Sequence, residues 1–93
     1  MIIQEIPFLF RFQIEGQPNA AEAGWSFPSL LEARTMAHFT LRQALLGQEE
    51  PCGYAEIFDG ISGDPLGAVA AILHDNTEHW TWREAEKASQ RAH

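Results

Sequence analysis

A chain of 93 residues makes one small domain, and 45% hydrophobic against 20% charged residues is the balance of a globular protein rather than a disordered one. Its 13 acids against 6 bases leave a net charge of −7, which argues against nucleic acid or an anionic membrane as principal partner, because phosphate affinity comes from concentrated Lys and Arg. A basic partner protein stays compatible with that charge, and the single cysteine, Cys52, allows no internal disulfide and fits a reducing compartment.

In chain order, the first run, MIIQEIPFLFRF, is apolar but broken by Gln4, Glu5 and Arg11, and carries neither the basic start nor the cleavage site of a secretory signal. No apolar run approaches the about 20 residues needed to cross a bilayer, so a soluble cytoplasmic protein is expected, one domain over residues 1–93. Ile6, Phe8, Phe10, Phe12 and Ile14 alternate with Pro7, Leu9, Arg11, Gln13 and Glu15, which reads as a half-buried strand with its aromatic face inward. Gly16, Pro18 and Asn19 mark Gly16 to Ala23 as a loop, and Trp25 to Phe27 reads as a short antiparallel return.

The firmest element is a helix. Ser29 and Glu32 stand in the S-x-x-E relation of a capping box, and Pro28 disfavours a helical Phe27, so the helix starts at Ser29 and no earlier. Gly47 stands where a left-handed C-terminal residue is wanted, and Pro51 follows. Leu30, Ala33, Ala37, Leu41, Ala44 and Leu45 fall on one face as the core stripe. Phe39 and Leu46 lie roughly opposite, with Met36 to one side.

Gln48 to Gly53 then reads as a connection. Tyr54 to Asp59 is a strand with Tyr54, Glu56 and Phe58 on one face and Ala55 and Ile57 on the other, and Asp59-Gly60 opens a turn closed by Gly63, Asp64 and Pro65. Leu66 to Leu73, LGAVAAIL, is apolar on both faces, and such a strand is normally covered on both sides, whereas one helix covers one. His74 to Thr77 looks like a turn. Residues 76–93 read either as a third strand beginning with Glu78 to Trp82, or as a helix from Trp82 to Ala92 opened by Thr81 and Glu84. The helical alternative has its acids early (Glu84, Glu86) and its bases late (Lys87, Arg91), as the macrodipole favours. The expected fold class is α+β: a small antiparallel sheet of β-hairpin, helix and β-hairpin, one main helix on one face, and a C-terminal strand or helix.

A strand near Phe8, then G-x-x-(apolar)-P-S-L-x-E-A at Gly24 to Ala33, an alanine-bearing helix, a strand ending at Asp59-Gly60 and a Gly63 turn resemble a family of short proteobacterial proteins of unknown function, typical of rhizobia. The resemblance covers about residues 6 to 73 and implies a strand, a G-x-x-L-P-D-L-x-x-A segment, a helix and a hairpin. It implies no activity. The chain departs from that family at Ala21 and Ala23, where acids are usual, and in its tryptophan-bearing tail. Gly24 to Leu30 is also similar to the G-Y-x-V-x-F-P-D-L strand of HicB-like antitoxins, partners of a small RNA-targeting toxin, which implies a β-hairpin, a helix and further strands.

Candidate chemistry is sparse. Zinc could recruit His74, His79 and Cys52, but the H-x4-H spacing is generic and neither C-x2-C nor H-E-x-x-H occurs, so with His38 and His93 these read as scattered surface histidines. Asp59, Asp64 and Asp75 sit in turns without the D-x-[DN]-x-[DN]-G pattern of a calcium loop. There is no nucleophile elbow and no phosphate-cradling glycine loop, so no catalytic residue, metal or cofactor is assigned. Arg83, Lys87 and Arg91 form a basic stripe on the helical alternative, which reads as a solvated face. Trp25, Trp80 and Trp82 lack the surrounding positive charge that base stacking needs and read as packing residues or interface anchors.

The preferred expectation is a non-enzymatic protein-interaction module, a two-fold homodimer with Met36, Phe39, Leu46, Trp80 and Trp82 at its interface. The alternatives are an antitoxin-like or regulatory protein that binds a basic partner, and an enzyme or metal protein with a site around His74, His79, Asp75 and Trp80.

Overall fold

The computed structural model describes residues 4–46, 52–74 and 77–85. Period-two spacing puts Phe8, Phe10, Phe12 and Ile14 on one side of strand β1 (Ile6–Ile14). β1 pairs antiparallel with β2 (Ala21–Phe27) on one side and with β3 (Cys52–Asp59) on the other, and β4 (Pro65–His74) and β5 (Thr77–Glu84) extend the sheet, giving the order β2-β1-β3-β4-β5. Helix α1 (Leu30–Leu45) links β2 to β3 and packs on one face of this sheet. The α+β expectation holds, with the second hairpin extended into a three-stranded meander.

The helix begins where its cap dictates. Ser29 is extended (φ −153°, ψ 163°), and its hydroxyl accepts from the Glu32 amide at 3.3 Å. Ala33, Ala37, Leu41 and Leu45 are buried, Leu30 is half-buried, and Ala44 at the end of the expected stripe is exposed. Leu46 caps the C-terminus in an extended conformation; Gly47, the expected left-handed residue, and Pro51 lie outside the described residues. Small residues on both layers let helix and sheet approach closely. A Cβ added at Gly53 would meet the Gln13 carbonyl oxygen at 2.7 Å and Leu41 Cδ1 at 3.3 Å. Phe10, Leu41, Leu45, Ile57 and Val69 fill the centre of the core. No described helix is long and apolar enough to cross a membrane.

The β3–β4 turn forms where the sequence places it. Asp59 Oδ1 accepts from the amides of Ile61 (2.7 Å) and Ser62 (3.0 Å), and these bonds, Ser62 foremost, hold its carboxyl below the usual value of 3.8. Gly63 supplies the positive φ of 79° that closes the turn.

Two expectations are corrected, and the open choice at the C-terminal segment falls to the strand. β2 starts at Ala21, so Ala21 to Ala23 is strand and not loop: pairing with Phe12, Arg11 and Phe10, and the packing of Trp25 on Phe10 at 5.2 Å, override the weak strand propensity of those residues. β3 likewise starts at Cys52, inside the expected connection. The C-terminal segment is strand from Thr77 to Glu84, so Thr81 and Glu84 cap no helix and Arg83 belongs to no helical stripe; Lys87 and Arg91 lie outside the described residues. Trp80 and Trp82 are two residues apart, which in a strand aims both at the helix side of the sheet and in a helix would turn them away from each other.

Candidate functional site

One flank of α1 carries Arg34, His38 and Arg42, one helical turn apart and therefore in a row. The helix-facing side of β5 carries Trp82, Trp80 and Glu78, and the two rows interlock. The Arg34 guanidinium lies 4.4 Å from the centre of the Trp82 ring, and the His38 ring stacks on Trp80 at 4.2 Å and 22°. His38 Nε2 donates to Glu78 Oε1 at 2.7 Å, and Arg42 Nε stands 3.6 Å from Glu78 Oε2. Among the described residues Glu78 Oε2 and Arg34 Nε, both buried, have no hydrogen-bond partner, so charge proximity and ring contact hold this row together with the His38–Glu78 bond. It clasps the last strand of the sheet to the helix. Its sequence signal was the R-x3-H-x3-R spacing on a helix already recognised, which means nothing until β5 is known to lie beside it.

The other face of the sheet is different in kind. Leu9, Tyr54, Phe58, Ala68, Ala70 and Ile72 lie on it, with Ile72 52% and Tyr54 44% exposed, and among the described residues no element packs against them. Strand register gathers four charges into one row, Glu22, Arg11, Glu56 and, across Ala68, Arg83, where Arg11 stands between two carboxylates as cross-strand neighbour of both; Glu15 lies apart, beside Cys52. Ile72 rises between two shallow hollows. One, of about 380 Å³, is bounded by Gln13, Glu15, Cys52, Tyr54 and Ala70; the other, of about 500 Å³, by Ala70, Glu78, His79, Trp80 and Thr81.

The five expected interface residues do not share one surface. Met36 and Phe39 (56% exposed) border a hollow of about 510 Å³ with Phe27 and Pro28, on the helix flank toward β2. Leu46 is exposed at the helix end. Trp80 and Trp82 are engaged in the clasp on the opposite flank, and they do not cover the outer face of β4.

Of the expected zinc ligands, Cys52 and His79 occupy the same sheet face with Ile72 between them in register; the His74 side chain and Asp75 lie outside the described part. Among the described residues no three His, Cys, Asp or Glu gather as metal ligands. No family model, curated protein or solved structure matches this chain.

Proposed function

We propose that this chain is a small protein-interaction module of the cytoplasm, working through the outer face of its sheet rather than through a catalytic site. The observation that carries the reading is β4. Its inner residues Val69 and Ala71 are buried under the helix, while its outer residues Ala70 and Ile72 meet no other described element. A strand apolar on both sides is normally covered on both, and contiguous apolar patches on monomers usually mark contact surfaces. The tryptophans that could have supplied cover are turned to the helix side. The cytoplasmic placement rests on the lone Cys52.

The test is affinity purification of a tagged copy from its own cells at natural expression. Stoichiometric company is expected, either untagged copies of the same chain or a second protein, and lost from Ile72→Glu. A stoichiometric basic partner would favour the antitoxin-like version of this reading. A chain recovered alone and monomeric overturns it.

A further inference from the structure

We infer that the free edge of β2 pairs antiparallel with β2 of a second copy of this chain, about a two-fold axis that passes through Gly24 perpendicular to the sheet, so that two five-stranded sheets run on as one. The inference does not rest on the reading of the outer face, which is a different surface. Three properties of β2 point to this partner.

The first is an undefended edge. Among the described residues β2 pairs with β1 alone, so its other side presents a row of unpaired N–H and C=O groups. Edge strands are ordinarily guarded by charges, proline or a bulge. β5, at the opposite edge, carries Glu78, His79, Arg83 and Glu84. β2 has no proline, keeps continuous register with β1 along its length, and carries one charge, Glu22, which Arg11 faces within the chain. The second property is Gly24, at the centre of the strand. Glycine weakens a strand interior and often marks the close approach of another backbone. Nothing within the chain calls for it: its φ is not positive, and an added Cβ would meet only the Phe8 carbonyl oxygen, at 4.0 Å.

The third is self-complementarity. Pairing about Gly24 sets Glu22 against the partner's Ser26, Ala23 against the partner's Trp25 and Ala21 against the partner's Phe27, and each contact is made twice. On the helix side a small side chain meets a large one, where Trp25 is still 38% exposed after packing on Phe10. On the outer side a hydroxyl meets a carboxylate, and the two copies of Glu22 stand roughly 14 Å apart along the seam, four residues at about 3.4 Å each. Only Gly24 faces its own copy, so within β2 no charge opposes a like charge. A strand with its small residues in one half and its large ones in the other fits a reversed copy of itself. One strand pair is a narrow interface, and a dimer of about micromolar affinity is expected.

The experiment is sedimentation velocity at micromolar concentrations on the native chain, Ser26→Glu, Ser26→Lys and Ile72→Glu, with circular dichroism to confirm folding. Ser26 is exposed, so its variants leave the fold intact. A native dimer is expected. Ser26→Glu sets two carboxylate pairs face to face and should weaken it about 10-fold, whereas Ser26→Lys offers each Glu22 an ammonium and should tighten it. Ile72→Glu, on the outer face, should leave the dimer unchanged. In a Cys52→Ser background Gly24→Cys should crosslink to its own copy on mild oxidation, because directly opposed strand residues lie within disulfide reach, while Ser26→Cys, roughly 14 Å from its copy, should not. A monomeric native chain overturns the inference, as does a dimer indifferent to both Ser26 variants. A dimer lost from Ile72→Glu and kept by Ser26→Glu moves the contact to the outer face, which overturns the inference and leaves the proposed function standing.

Discussion

Gly67→Ala separates two opposed expectations. In a strand interior alanine is ordinarily favoured over glycine by about 0.5–1 kcal/mol, because glycine loses more backbone freedom on folding. Here the Trp82 ring lies directly over the Gly67 Cα, so an added Cβ would run into the ring and stand 2.7 Å from the Arg83 carbonyl oxygen. The carbonyl belongs to the paired backbone of β5, and the ring is held from above by Arg34, so neither yields freely. Overpacking of this kind costs about 1–3 kcal/mol. Displacing the ring forfeits a cation–π contact of about 0.5–1 kcal/mol. After the backbone gain is set against these, the variant should lose about 1–3 kcal/mol, a drop of roughly 4–8 °C in Tm for each kcal/mol in a domain of this size. Denaturant unfolding followed by far-ultraviolet circular dichroism gives the number. In a Trp82→Ala background the same methyl enters space the ring has left, and its cost should fall to the part set by the Arg83 carbonyl oxygen. A Gly67→Ala chain as stable as the native one would refute the close seating of Trp82 on β4.

Ser29→Ala should cost about 0.5–2 kcal/mol through loss of the cap acceptor, and an unchanged denaturant midpoint would place the helix start elsewhere. Glu78→Ala removes the acceptor of the His38 bond and the counter-charge of Arg42; about 1–3 kcal/mol should be lost, with amide exchange accelerating in β5 before β1 and β3, and uniform exchange would show that the clasp holds no single strand. The Asp59 carboxyl is depressed in the folded chain, so its contribution to stability is fully present well above 3.8 and is lost as pH falls through the lower folded value. The stability advantage of the native chain over Asp59→Ala should therefore shrink only in acid below about pH 4; a gap independent of pH would show that the turn amides do not depend on the carboxylate.

What the sequence reveals is what is local. The alternation of Phe8, Phe10, Phe12 and Ile14, the Ser29 cap, the stripe of Ala33, Ala37, Leu41 and Leu45, and the Asp59–Gly63 turn are each written within a dozen residues, and each stands where expected. The elements misread or left undecided depend on partners distant in the chain. Ala21, Glu22 and Ala23 have no strand character of their own and become strand because β1 presents an unpaired edge. Thr77 to Glu84 carries a plausible helix start and a favourable charge gradient, and sheet pairing with β4 outweighs both. The clasp joins residues far apart in the chain, His38 to Glu78 and Arg34 to Trp82, so neither row signals its function until the other is placed. For the same reason five apolar residues that look like one interface fall onto separate surfaces.

The register of β5 connects the clasp to the open face. Slipping β5 by one residue along β4 would exchange its two sides. Trp80 and Trp82 would then lie over Ala68 and Ala70 and cover the outer apolar strip, while His79 and Arg83 would face the helix. That arrangement buries more of β4, yet it sets Arg83 and His79 against Arg34, His38 and Arg42, with no carboxylate between them. The observed register instead places Glu78 between His38 and Arg42 and an aromatic face under Arg34. Three basic positions spaced four apart on α1 thus favour the side of β5 that leaves Ile72 exposed. The outer face is open because of how the last strand is held, so loosening the clasp should weaken docking on that face.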